Sequence, residues 1–191
     1  TRAVSWSAGS GGGPQGAPGE ADALYWEGVF ADWQRSGGQP LWRAYSDAVH
    51  EQWLSRRLPP ARHGLLLKTD LFDEAFSAGL YPLLAGRGWR VVGIDTSARA
   101  TAIVRARHAA LQAALADVRR LPFAEGSFDV VVSNSTLDHF PREAELARAL
   151  SELHRVLRPG GTLLLTLDNR ANPVIALRND LPFRWLHQLG L

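Results

Sequence analysis

The sequence contains no cysteine and no methionine, and its only lysine is Lys68. Without cysteine the chain has no disulfide, no thiol nucleophile and no thiolate metal site. No apolar run approaches the roughly 20 residues that a membrane-spanning helix needs, and residues 1–20 lack the apolar core of a signal peptide. We therefore expect a cytoplasmic protein that has no membrane partner.

A strong charge of one sign is also missing, because 21 Lys and Arg residues against 19 Asp and Glu residues give a formal net charge of +2. The chain has no basic stripe with interleaved aromatic residues, so nucleic acid is not an expected partner. His63, His108 and His154 are scattered, and none forms a pair at metal-ligand spacing beside an acid cluster. The sequence therefore predicts no metal site.

Composition divides the chain into three parts. Residues 1–20 are dominated by Gly, Ser and Pro, which predicts a flexible tail. Residues 21–57 carry aromatic side chains at helical spacings on both sides of a Gly-Gly-Gln-Pro break, which predicts two short helices that form a cap. The cap aromatics either anchor a core or line a substrate pocket. Residues 58–191 form the third part, a main domain.

In the main domain, apolar strand-length runs alternate with helix-length segments. This alternation predicts an α/β fold with a doubly wound, mostly parallel sheet and helices on both faces. The predicted strands are 64–68, 90–94, about 112–116, 128–133 and 161–167, and the predicted helices are about 74–86, 98–109 and 142–157.

Polar residues stand at the ends of the second, third and fourth predicted strands, and ligands bind in such a sheet beyond the carboxyl ends of the strands. Asp95 closes the second strand, and its carboxylate suits the two hydroxyls of a ribose. Asp117 follows the third strand and could accept an adenine amino group, while Val118 could offer its backbone N–H to the ring. The fourth strand ends at Asn134. The Gly-x-Gly-x-x-Gly run of a dinucleotide site is absent.

The stretches VVGIDTS, ADVRRLPFAEGSFDVVVSNSTLDHF and ALSELHRVLRPGGTLLLTLDN resemble the class I S-adenosylmethionine-dependent methyltransferases over about residues 64–169. The resemblance implies a Rossmann-like fold, S-adenosylmethionine as cofactor and methyltransferase activity. Residues 133–135 do not match the Asn-Pro-Pro-Tyr type of strand end that related enzymes use on nucleic-acid bases. We therefore expect a small-molecule acceptor and leave open whether the methylated atom is oxygen or nitrogen.

Residues 68–74, KTDLFDE, depart from the family pattern because they replace its glycine-rich first loop. One interpretation is a rebuilt loop, in which the side chains of Thr69, Asp70 and Glu74 reach the cofactor and residues 77–79 supply a displaced turn. Residues 68–74 would then still bind the cofactor.

The alternative interpretation is a decayed site in a catalytically silent methyltransferase-like domain that serves binding or assembly. In that case Leu71 or Phe72 should fill the cofactor space, because an empty apolar cavity is costly.

His139, just past the fourth strand, is the candidate catalytic base, although a loop or helix-cap role is the alternative. Asn169 and Arg170 follow the fifth strand and either contact substrate or form a polar turn. Residues 174–191 read as a helix and an apolar turn, where the family normally adds two strands. We therefore expect a domain that is incomplete at its C-terminal end, with an exposed sheet edge that a homo-oligomer would cover.

Overall fold

The chain begins with two helices in a computed structural model that describes residues 20–36, 40–61, 64–167 and 169. Helix α1 spans Glu20–Ser36 and helix α2 spans Pro40–Arg57. Proline suits the first position of α2 because its fixed φ is helical and its missing N–H would have no partner there. Two helices thus occur where the aromatic spacing predicted them. The predicted tail, except for Glu20, lies outside the described residues.

Five parallel strands form one sheet in the order β3-β2-β1-β4-β5, which confirms the predicted fold class. Strand β1 lies in the centre, and the chain adds strands first on one side of it and then on the other. The carboxyl ends of β1 and β4 therefore flank the switch point at which ligands bind in open α/β sheets. The strands are β1 (Leu65–Lys68), β2 (Arg90–Asp95), β3 (Gln112–Leu115), β4 (Phe128–Asn134) and β5 (Leu157–Thr166).

Both faces of the sheet are covered, because consecutive side chains of a strand point to opposite faces. Leu66 and Val130 pack in one apolar cluster with the cap and with α3 (Phe72–Phe76), α4 (Tyr81–Gly86) and α5 (Ala98–Arg107). Leu67 and Val131 pack in a second cluster against α6 (Glu143–Val156). None of the described helices has an apolar stretch long enough to cross a bilayer.

The prediction of one continuous helix over residues 74–86 was wrong. The segment forms α3 and α4, separated by residues 77–80. Gly79 has φ +53°, and a Cβ atom there would lie 2.6 Å from Glu74 Oε1. The N–H of Leu80 donates a hydrogen bond to the same oxygen over 3.0 Å. The chain therefore turns around the Glu74 carboxylate, which interrupts the helix.

The predicted helix at 174–191 lies outside the described residues, as does Arg170. Strands β3 and β5 are the two edges of the described sheet. The homo-oligomer that would cover an exposed edge stays a prediction.

Candidate functional site

A cavity of about 640 Å³ lies at the carboxyl ends of the strands, beneath the cap. Its lining combines polar strand ends with aromatic side chains of α1, among them Trp26 and Trp33. Glu74 and Asn169 are not among the described residues that line it. The structure thus brings together most of the predicted site residues: Thr69, Asp70, Asp95, Asp117, Val118, Asn134 and His139.

Asp95 ends β2 and is held by two backbone groups. Its Oδ2 accepts the N–H of Leu71 over 2.9 Å, and its Oδ1 accepts the N–H of Ser97 over 2.7 Å. Each carboxylate oxygen can accept a second hydrogen bond, so both remain able to receive ribose hydroxyls. Burial raises the pKa of Asp95 to about 6, because it disfavours the charged form more than the two N–H donors favour it.

We expect cofactor affinity to rise with pH through about 6, because the ionised carboxylate of Asp95 is the better acceptor for ribose hydroxyls. The stability of the protein without cofactor depends on pH in the opposite direction, because folding raises the pKa of Asp95. The stabilisation linked to the protonated carboxyl is fully present below about pH 3.8 and is lost as the pH rises through 6.

Calorimetric titration with S-adenosylhomocysteine between pH 5 and 8 measures the first effect, with Asp95→Asn as the control that cannot ionise. The same pH dependence in wild type and Asp95→Asn would contradict the assignment.

Asp117 is fixed by Arg119, a residue that the sequence analysis did not single out. Arg119 Nε lies 3.0 Å from both carboxylate oxygens, and Arg119 Nη1 lies 3.0 Å from Glu145 Oε1. The pairing orients the Asp117 carboxylate just beyond the end of β3, beside the buried Val118. The backbone N–H of Arg119 also donates to Asp117 Oδ1 over 2.8 Å, and Arg119 Nη2 donates to Oδ2 over 2.6 Å, so an amino group would share the carboxylate with Arg119.

The loop after β1 is organised around the only lysine. Lys68 is fully buried, and its Nζ lies 2.8 Å from the Asp70 carbonyl oxygen, 3.1 Å from Asp70 Oδ2 and 2.9 Å from Glu74 Oε2. Burial alone would lower the pKa of Lys68, but the carboxylates of Asp70 and Glu74 outweigh it and raise the pKa above its ordinary value. The conformation of the loop is thus held by contacts to a buried ammonium group, whereas the family loop depends on glycine residues.

The prediction that Glu74 reaches the cofactor was wrong. Glu74 is fully buried and pairs with Lys68, and the turn at residues 77–79 wraps its carboxylate and does not line the cavity. A buried carboxylate needs a compensating charge, and Lys68 supplies it. Of the two acids that contact Lys68, Asp70 is the one that lines the cavity, and its side chain is 21% exposed.

Hydroxyl groups connect the carboxyl ends of the paired strands β1 and β4. Thr69 Oγ1 donates to Ser133 Oγ over 3.0 Å and lies 3.0 Å from Thr136 Oγ1. Next to them, Asn134 is 5% exposed, and its Oδ1 has no hydrogen-bond partner in the described part of the chain. A buried acceptor without a partner costs about 1–3 kcal/mol. A ligand that donates a hydrogen bond, such as the ammonium of S-adenosylmethionine, would fit this position.

Neither Leu71 nor Phe72 closes the cavity. Leu71 is fully buried and packs where Gly93 leaves room for it on β2, since a Cβ atom at position 93 would clash with its side chain. Phe72 forms part of one wall, with its ring 5.9 Å from Phe30 and 5.3 Å from Trp33. Gly93 on the neighbouring strand thus makes room for a leucine in the loop.

Some aromatic residues of the cap line the cavity and others pack on the core. The two interpretations of these residues, as pocket lining and as core anchors, therefore apply to different side chains. Trp26 and Trp33 line the cavity, Phe30 does so from a fully buried position, and Trp53 packs against the core. Tyr45 is exposed.

Three polar residues of α2 line the cavity and were missed in the sequence analysis: Arg43, Ser46 and His50. Their spacing of three and then four residues is that of one helix face, which is the signal that could have found them. Arg43 forms an ion pair with Asp73. Burial lowers the pKa of His50 below its ordinary value, although Asp70 and Asp47 act in the opposite direction.

Glu27 fixes α1 against the main domain. Its Oε1 accepts a hydrogen bond from Ser97 Oγ over 2.7 Å, and Ser97 Oγ also accepts the N–H of Ala100 at the start of α5.

His139 lies on a short 3-10 helix at the cavity, with its ring 4.8 Å from that of Trp26. Asn169 is exposed, and the predicted substrate contact through Arg170 falls outside the described residues.

Comparison with known proteins shows what this arrangement is similar to. A family described as a methyltransferase domain matches residues 76–165. A "probable S-adenosylmethionine-dependent methyltransferase" of Mycolicibacterium smegmatis is 36% identical over 88 residues, which are 46% of this chain and 33% of that protein. A malonyl-[acyl-carrier protein] O-methyltransferase of Pectobacterium atrosepticum is 31% identical over 139 residues, 70% of this chain and 45% of its own length.

The fold is also that of solved structures. The N-methyltransferase NodS from Bradyrhizobium japonicum, in complex with S-adenosyl-L-homocysteine, superposes with a TM-score of 0.58 at 21% identity, covering 71% of each chain. The chain spans less than half the length of the two curated relatives.

Proposed function

We propose that the chain is a class I S-adenosylmethionine-dependent methyltransferase that methylates a small molecule at oxygen or nitrogen, because a methyltransferase domain family matches residues 76–165 and methyltransferases are among its relatives. The observation that carries the proposal is the open cavity at the strand ends, which is lined by the last residues of β2 and β4, Asp95 and Asn134, and by Asp117 just beyond β3. The relatives include an O-methyltransferase and the structural neighbour is an N-methyltransferase, so the acceptor atom stays open.

Different residues of the cavity bind different parts of the cofactor. Asp95 is the acceptor for ribose hydroxyls, Asp117 is the acceptor for an adenine amino group, and Asp70 and Asn134 are acceptors for an ammonium. The cofactor supplies a methyl group that is already activated by a positive sulfonium. Alignment of the acceptor with this methyl group therefore accounts for much of the acceleration, and well-oriented reactants gain up to about 7–11 kcal/mol in this way.

Calorimetry with S-adenosylmethionine and S-adenosylhomocysteine tests the proposal. We expect one site per chain, and release of S-adenosylhomocysteine when a panel of small hydroxyl and amine compounds is added. The absence of binding for both ligands would support the alternative of a catalytically silent domain. That alternative is favoured only by the loss of the glycine loop, whereas the open cavity argues against it.

Replacing His139 with alanine is expected to lower kcat by about 10²–10⁴-fold if the acceptor must lose a proton, because that is the usual contribution of a general base. Affinity for S-adenosylhomocysteine should stay nearly unchanged, since the proposed cofactor contacts do not include His139, whose ring contacts Trp26. The measurement is the pH profile of turnover with an acceptor from the panel. A rate that is unchanged at every pH would return His139 to a structural role.

A further inference from the structure

We propose that the cavity takes an aromatic acceptor whose hydrogen-bond-donating group is neutral or positively charged, such as a phenol or an aromatic amine, and that it rejects carboxylic acids. The inference rests on the proposed methyltransferase function and specifies the substrate class of the same site. Three features of the cavity carry it: its aromatic wall, its balance of charge and the kind of polar atom that lacks a partner.

The wall that the cap contributes is aromatic. Tyr25, Trp26 and Trp33 of α1 line the cavity together with Phe72 of α3. The rings of Tyr25 and Trp26 lie edge to face at 5.3 Å, and those of Trp33 and Phe72 do so at 5.3 Å. Such a wall offers ring faces and edges to a planar ligand. Arg43 already lies over the rings of Trp33 and Phe72, at 5.9 and 5.7 Å, so Tyr25 and Trp26 are the rings that can attract a cation from the ligand. The proposed cofactor contacts come from the strand ends, which leaves this wall for the acceptor.

The charge of the lining is negative. Among the described residues that line the cavity, five aspartates face two arginines: Asp70, Asp73, Asp95, Asp117 and Asp138 against Arg43 and Arg119.

Both arginines of the lining are already engaged by carboxylates. Arg43 pairs with Asp73, and Arg119 pairs with Asp117 and Glu145. Lys68 is buried between Asp70 and Glu74 and does not line the cavity. An acidic acceptor would therefore have to displace an existing ion pair and would meet the remaining carboxylates at low dielectric, where repulsion is strong.

One buried acceptor among the cavity-lining residues remains once the cofactor contacts are assigned. Asp138 Oδ1 is buried and has no hydrogen-bond partner in the part of the chain that the structure describes, whereas Asn134 Oδ1, which also lacks one there, is assigned to the ammonium of the cofactor. Asp138 lines the cavity and adjoins His139 on the 3-10 helix. A ligand that brings O–H or N–H donors relieves the cost of such atoms, whereas a carboxylate has no donor to offer. The donor requirement and the negative charge thus favour the same ligands.

The test uses three probes that share a phenol ring and differ in the charge of the side chain: tyramine (positive), 4-hydroxyphenylethanol (neutral) and 4-hydroxyphenylacetate (negative). Each is titrated calorimetrically into the protein, with and without saturating S-adenosylhomocysteine. We expect tyramine and the neutral phenol to bind at least about tenfold more tightly than the acid, since a single charge contact in a partly buried site is of that order. Equal binding of all three probes, tighter binding of the acid, or binding of none at millimolar concentration would overturn the inference.

Two matched variants locate the effect. Asp138→Asn should reduce the preference for tyramine over the acid several-fold while S-adenosylhomocysteine binds as before. Asp32→Asn is the control, because Asp32 is exposed on α1, pairs with Arg35 and does not line the cavity. If both variants kept the wild-type preference, the charge argument would be wrong. A failure to bind S-adenosylhomocysteine at all would instead refute the proposed function, and the probe titrations without it would still decide the charge preference.

Discussion

Replacing Glu74 with alanine is expected to lower the free energy of unfolding by about 3–5 kcal/mol, the usual cost of removing one partner from a buried ion pair. Glu74 and Lys68 are both fully buried, with Glu74 Oε2 at 2.9 Å from Lys68 Nζ. The substitution also removes the acceptor for the N–H of Leu80, so the turn between α3 and α4 loses its centre. Urea denaturation, followed by the far-ultraviolet circular dichroism of the helices, measures the change.

Asp70→Asn is the matched comparison, because Asp70 contacts the same ammonium but lines the cavity. The amide oxygen can still accept a hydrogen bond from Lys68, so we expect a small loss of stability and about a tenfold loss of affinity for S-adenosylhomocysteine, the effect of removing a charge-assisted hydrogen bond. Glu74→Gln should show the opposite pattern, with lower stability and affinity that is normal while the protein is folded. If the urea midpoint of Glu74→Ala equalled that of the wild type, the ion pair between Glu74 and Lys68 would not be what stabilises the loop.

The second large effect is expected at Asp95. Asp95→Ala should weaken cofactor binding by about 1.5–3 kcal/mol, the scale of hydrogen bonds to a charged acceptor. It should also lower stability, because the N–H groups of Leu71 and Ser97 both lose the carboxylate that they contact. Titration calorimetry with S-adenosylhomocysteine, below the melting temperature of the variant, separates the two losses.

Asp95→Asn keeps the shape and one acceptor oxygen, so its affinity should fall between those of wild type and Asp95→Ala. An Asp95→Ala protein that is folded and binds as tightly as wild type would show that the ribose does not contact Asp95. The cavity would then have to hold the cofactor in another orientation, with Asp117 and Asn134 reassigned.

The fold class and three of the cavity-lining positions could be predicted from the sequence because both depend on local patterns. Apolar strand-length runs separated by helix-length segments predict a parallel sheet, and the sheet observed has that form. A residue at or just beyond the last position of a parallel strand must lie at the carboxyl edge of the sheet, which is why Asp95, Asp117 and Asn134 all line one cavity.

The interior of the first loop could not be predicted in the same way. Asp70 and Glu74 are both acids close to Lys68 in the chain, and no pattern tells which faces the ligand. The choice depends on where the buried ammonium lies and on the turn that Gly79 allows around the Glu74 carboxylate. It also depends on the space beside Gly93, which lets Leu71 pack away from the cavity.

The strand and helix order of this chain and the acids at its strand ends thus follow from the sequence, since each depends on residues within one or two elements. Tertiary structure alone decided that Glu74 lies in the core, that Arg43 and His50 of α2 line the cavity, and that both arginines of the lining are paired. The physical reason is that burial and charge compensation join residues far apart in the chain. A side chain such as Arg43 acquires its role only when the cap packs over the sheet and brings Asp73 within reach.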